Sequence, residues 1–119
     1  MPGFLLVGLG GALGSMARYG VGLALPSIGF PYATLAVNVI GCFAIGLALP
    51  TMERAVALPQ DLRLLIVVGF LGGFTTFSAF GNETLALIRA GAGLALLNVA
   101  ANVLLGLAAV VLGRAVAAG

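Results

Sequence analysis

Histidine, tryptophan and lysine are missing from the 119 residues, and only eight side chains carry charge: five arginines, two glutamates and one aspartate. Without imidazole there is no histidine acid–base catalyst and no histidine-ligated metal. Cys42 is the single cysteine, which excludes an intrachain disulfide and a thiolate cluster. The net charge is +2, but no run of basic residues exists to follow a phosphate backbone, so nucleic acid is not an expected partner. No basic residue precedes Arg18, so the apolar N-terminus reads as mature protein rather than a cleaved signal peptide. With three carboxylates, two of them near span ends, an enzyme is not expected either.

What is present is apolar. Hydrophobic residues make up 62% of the chain and charged residues 7%, with a mean hydropathy of +1.27. A soluble domain carries about 25% charged residues, and disorder needs low hydrophobicity with high charge. The expected class is therefore an all-α, multi-pass protein of the cell (inner or plasma) membrane, with the lipid bilayer as its solvent. The charge-free runs are Met1–Ala17, Tyr19–Met52, Leu64–Asn82 and Ala90–Gly113. A helix needs roughly 20 apolar residues to cross a hydrocarbon core about 30 Å thick. The second run is too long for one crossing and holds turn chemistry at Pro26-Ser-Ile-Gly-Phe-Pro31. Residues 1–119 thus read as a single domain of four spans, about 3–25, 32–52, 62–88 and 93–116.

Arginines orient such a bundle weakly. Four spans put Arg54, Arg63 and Arg114 on one side and Arg89 on the other, with Arg18 free to snorkel. The near balance predicts insertion in both orientations and antiparallel pairing of two copies.

Polar residues at membrane depth carry the functional information, because each must find a partner or line a cavity. Arg18 shares a helix face with Gly10 and Gly14; it reads as a snorkelling or helix-terminal charge, or as an anion attractor at a pore mouth. Asn38 lies ~9 Å into the second span, with Thr34, Gly41 and Cys42 on its face. It serves as glue between helices, or its two N–H groups donate to a partly dehydrated anion. Asn98 and Asn102 stand at i, i+4 in the last span with Gly106 beyond, forming one polar edge.

The third span is the most specific passage. Gly72 and Gly73 fall near the bilayer midplane and are followed by Thr75 and Thr76. Paired glycines each cost about 1 kcal/mol in a helix interior, and threonines bond locally to backbone. A helix broken near the bilayer centre is expected, exposing carbonyls able to bind a cation; continuous winding with glycines for close packing is the alternative. Phe77 and Phe80 follow, with Glu83 three residues further. Ring edges are positive, so these rings beside Thr76 and Ser78 offer several weak donors to an anion, which favours release over trapping.

These residues resemble the bacterial fluoride channel family (Fluc, also called CrcB) over essentially the whole chain. The resemblance is carried by Gly10-Gly11-x-x-Gly14-Ser15-x-x-Arg18-Tyr19, by Thr34-Leu35-x-Val37-Asn38-x-x-Gly41, and above all by Gly69-Phe70-x-Gly72-Gly73-x-Thr75-Thr76-Phe77-Ser78-x-Phe80. It implies a dual-topology, antiparallel homodimer with two pores that export fluoride passively and lower its cytoplasmic toxicity. It further implies that Asn38, Phe77 and Phe80 line the pore, with Thr76 and Ser78 in polar surroundings and Glu83 near a vestibule; Arg18 is expected as a vestibule or structural residue. The carbonyls of Gly72 and Thr75 from both copies would hold a structural Na⁺. Asn98 and Asn102 would form a polar track where family members often carry Ser or Tyr, and Ala79 stands at a frequent Thr. A small multidrug transporter fits poorly, lacking a carboxylate in span one and any Trp; a non-conducting subunit leaves the third-span passage unexplained.

Overall fold

The computed structural model describes residues 2–55 and 58–119, and everything described is helical or connecting. Helix α1 is Gly3–Ala24 and α2 is Tyr32–Arg54. The third apolar stretch, Gln60–Ala90, contains two helices. The first, α3, runs over 60–74 and is π-wound over Leu64–Leu71. The second, α4, is Ser78–Ala90. Helix α5 is Ala92–Ala118, π-wound over Ala101–Leu105. Four helical stretches, counting 60–90 as one, are long and apolar enough to cross a membrane. This is a multi-pass membrane protein.

The chain packs as two close pairs. Helix α1 lies along α3, and α2 lies along the C-terminal half of α5, while α4 covers its N-terminal half. Hydrocarbon supplies no hydrophobic drive between helices, so such pairs depend on close backbone approach. Gly14 meets the Phe70 carbonyl directly, with the Phe74 nitrogen 2.9 Å from where a Cβ would sit. Gly73 faces the Gly11 carbonyl at 2.6 Å in the same sense, and Gly46 and Gly113 seal the α2–α5 contact. The glycine pair of the third span thus remains helical: Gly72 has φ −62°, ψ −37°.

Winding stops later, at Thr75, whose φ −86°, ψ 160° is extended, and resumes at Ser78. The connection from α4 to α5 is Gly91 alone, at φ 154°, a backbone position that disfavours a Cβ. Arg54 caps the end of α5 by donating to the Ala117 carbonyl. Large apolar side chains lie on the outside as well as in the core. Phe4 is 95% exposed, as lipid contact permits, whereas the two largest fully buried side chains are Val37 and Asn98, the latter 0% exposed.

Candidate ion pathway

Interruption at Thr75 frees main-chain groups that continuous winding would pair, and side chains from the other helices take them. Thr76 N–H, which α winding would give to the Gly72 carbonyl, donates instead to Asn38 Oδ1 at 2.9 Å. Asn38 Nδ2 donates to the Thr76 carbonyl at 3.1 Å, so the amide grips both sides of one residue. Its second hydrogen goes to Asn102 Oδ1 at 3.0 Å. Asn102 Nδ2 in turn donates to Asn98 Oδ1 at 3.1 Å and to the Asn98 carbonyl at 2.9 Å. Asn98 Nδ2 donates to Thr84 Oγ1 at 2.9 Å, and Thr84 donates to the Phe80 carbonyl at 2.7 Å. Asn102 bonding back into its own helix competes with the regular ladder, and the π winding of Ala101–Leu105 surrounds it.

Two cavities flank this interruption. One, of about 370 Å³, is lined by Asn38, Cys42, Thr75, Phe77, Phe80 and Asn102 among others. The second, of about 440 Å³, is lined by Arg18, Tyr19, Thr34, Val37, Ala79 and Glu83. Thr76 lines both and forms a wall between them.

Each cavity has its own chemistry. In the first, the Phe77 and Phe80 rings stand 5.6 Å apart, tilted by 51°. Phe77 is 82% exposed and Phe80 less so. In the second, Arg18 Nε donates to the Gly73 carbonyl at 3.1 Å, completing one hydrogen bond that the end of α3 leaves open. Glu83 Oε2 accepts from Thr34 Oγ1 at 3.1 Å, while the buried Oε1 has no partner among the described residues.

Threonine hydroxyl protons are mostly spoken for. Thr75 donates to the Leu71 carbonyl, Thr84 to Phe80, and Thr34 to Glu83. Thr76 Oγ1 accepts from Ala79 N–H at 3.3 Å and keeps its own hydrogen free of any acceptor among the described residues.

The sequence-predicted residues are therefore divided. Asn38, Phe77, Phe80, Thr75, Thr76 and Asn102 meet at one cavity; Arg18 and Glu83 meet at the other, so Glu83 does not join the aromatic pair. Asn98 lies behind Asn102 and lines neither. Ser78 is exposed at the start of α4 and also lines neither. Asn38 has no N–H left for an anion, since both are engaged within the chain. Thr84 was missed: a threonine one residue beyond Glu83 looked like ordinary helix surface, and only a facing asparagine marks it.

Comparison with known proteins follows the same lines. The model of a family described as CrcB-like protein, Camphor Resistance (CrcB), matches residues 5–114. A Rhizobium etli protein named Fluoride-specific ion channel FluC is 50% identical over 115 residues, covering 93% of this chain and 92% of its own. Proteins of the same name from Solibacter usitatus and Thermus thermophilus are each 49% identical. The first covers 96% of this chain and 97% of its own, and the second 95% and 93%.

Proposed function

The chain belongs to the CrcB-like family, and from that premise we propose that it is a fluoride-selective channel, not an enzyme, exporting fluoride passively across the membrane. The observation that carries the reading is the pair of cavities meeting at Thr76, one with an arginine and the other with an aromatic pair. Arg18 draws an anion toward the second cavity, and its bond to Gly73 keeps it anchored there. Beyond Thr76 the ion meets no full positive charge. It meets the free hydroxyl proton of Thr76 and the positive edges of Phe77 and Phe80, weak donors that let it go again. Asn38 contributes by holding Thr76 in place.

Hydrogen fluoride crosses a bilayer neutral, ionises in the cytoplasm and is trapped there. An inside-negative potential, worth about 2.3 kcal/mol per charge per 100 mV, then drives fluoride outward with no other energy source. Lowered internal fluoride, and so lowered toxicity, is the result.

The reading extends to an antiparallel, dual-topology homodimer with a structural Na⁺ at its centre. Near balance of arginines between the two sides and the outward-facing Phe77 support pairing. The cation reading rests on the donor set. The family resemblance assigns the Gly72 and Thr75 carbonyls to the ion, and the interruption supports this: Thr76 N–H has left the Gly72 carbonyl, and Ala79 N–H goes to Thr76 Oγ1 rather than to the Thr75 carbonyl. One chain offers two such oxygens, so two copies would be needed to surround the ion.

Fluoride efflux from liposomes holding the purified protein, followed with an ion electrode, tests the channel. Fluoride should leave and chloride should not substitute; no fluoride current over empty liposomes would end the proposal. On the same assay Phe80→Ile should lower fluoride efflux about tenfold while dimer assembly persists, since it keeps bulk but loses the ring edge. Normal efflux in that variant would discard the ring-edge mechanism. Replacing all Na⁺ by a larger organic cation should reduce efflux or dissociate the dimer on size exclusion, and full activity in rigorously Na⁺-free buffer would remove the cation from the account.

A further inference from the structure

The hydrogen-bonded series through Thr84, Asn98, Asn102 and Asn38 has a direction, and main-chain groups at both ends set it the same way: the Phe80 carbonyl takes the Thr84 hydrogen, and the Thr76 N–H and carbonyl face Asn38 oxygen and nitrogen respectively. A hydroxyl carries one hydrogen, and Thr84 gives it to the Phe80 carbonyl. Only lone pairs remain for Asn98, which must therefore turn its NH₂ toward Thr84. Its Oδ1 then points the other way, beside its own carbonyl, and these two acceptors compel Asn102 to face them with nitrogen. Asn102 Oδ1 in turn demands a donor from Asn38. With Nδ2 so placed, Asn38 presents nitrogen to the Thr76 carbonyl and oxygen to its N–H. Turning any one amide over would set donor against donor and acceptor against acceptor. The series begins on the main chain of Phe80 and ends on the main chain of Thr76, so it closes around the segment that carries Phe77.

We propose that Asn98 and Thr84 are positioning residues that brace the Asn102 and Asn38 amides, whose facing the main chain also dictates, and through them hold in place the Thr76 main chain dividing the two cavities. Neither residue lines a cavity, and Asn98 is fully buried, so neither touches an ion there. Both act through Thr76. The relay itself stands on hydrogen-bond geometry; its effect on permeation rests on the fluoride-channel reading.

The chain has five threonines, at 34, 51, 75, 76 and 84, so ¹⁵N-threonine labelling of the full-length protein in lipid nanodiscs gives few main-chain resonances. Asn98→Leu and Thr84→Val should each move the Thr76 amide resonance and leave that of Thr51, at the far end of α2, in place. Thr84→Ser keeps the hydroxyl and should leave Thr76 unmoved. Fluoride efflux should fall about threefold to tenfold in Asn98→Leu and Thr84→Val, the scale of one lost hydrogen bond, and return in Thr84→Ser. If Asn98→Leu fails to fold, Thr84→Val probes the same link from the other helix. A stationary Thr76 resonance in Thr84→Val overturns the relay, and a moved resonance with unchanged efflux overturns its role in permeation. If the unaltered protein carries no fluoride the functional reading falls, yet the Thr76 resonance still decides the relay.

Discussion

Asn38→Leu is expected to cut fluoride efflux by 30-fold or more, by order of magnitude, and to destabilise the fold by about 2–4 kcal/mol. Leucine has similar bulk but makes none of the three hydrogen bonds of the Asn38 amide. Three groups are stranded: Thr76 N–H, the Thr76 carbonyl and Asn102 Oδ1. An unsatisfied buried group costs about 1–3 kcal/mol, whereas polar pairs inside membranes average nearer 0.6 kcal/mol because the unfolded chain finds partners too. The estimate lies between these limits. The efflux loss exceeds what stability alone explains, because the released Thr76 peptide is the wall that both cavities share. Asn38→Asp tests the donors in particular: it keeps an acceptor for Thr76 N–H but loses both donors and buries negative charge against the Thr76 carbonyl and Asn102 Oδ1, so it should fold no better than Asn38→Leu and conduct no more. Initial efflux rates and thermal unfolding in detergent measure the two effects, and near-normal efflux in Asn38→Leu would refute the clamp.

Gly14→Val should have the largest effect on folding, with loss of monodisperse protein or a destabilisation of about 4 kcal/mol. A Cβ at Gly14 falls on the Phe70 carbonyl, with the Phe74 nitrogen and Phe70 carbonyl carbon 2.9 and 3.0 Å away. These are backbone atoms, unable to swing aside as a side chain does. Relief comes only by pushing α1 off α3, which opens the contacts at Gly10, Gly69 and Gly73 together. Gly20→Ala is the control, because nothing lies within 4 Å of its added Cβ, and it should cost nothing. Size-exclusion profiles and melting curves of the two variants read this out; a well-behaved Gly14→Val protein would mean that the helices tolerate wider spacing.

The four membrane-crossing stretches were legible in the sequence because hydrocarbon excludes charge almost absolutely, so eight ionisable residues in 119 marked the ends of the runs. The residues of the first cavity were legible for a related reason: Asn38, Thr75 and Thr76 are polar where polarity is costly. Their bonding was not. Spacing along one helix cannot show that Asn38 reaches a peptide thirty-eight positions away, so its N–H groups fitted glue between helices and donation to an anion equally well. The passage marked for interruption holds Gly72 and Gly73, which weaken a helix, together with Thr75 and Thr76, which bond locally to backbone. In the fold, Gly73 meets the Gly11 backbone, and that packing holds the pair in helical geometry. Interruption falls instead where Asn38 competes for a main-chain N–H. The π winding at Leu64–Leu71 had no sequence signal, its residues being apolar or glycine throughout, and that at Ala101–Leu105 surrounds Asn102, whose bonding back into its own helix spacing alone does not show.

The lone glycine between α4 and α5 bears on how the chain crosses the bilayer. A one-residue connector leaves no slack between the last two membrane passes: they form a tight hairpin, so whichever way one of them comes to face across the bilayer, the other is committed to the reverse.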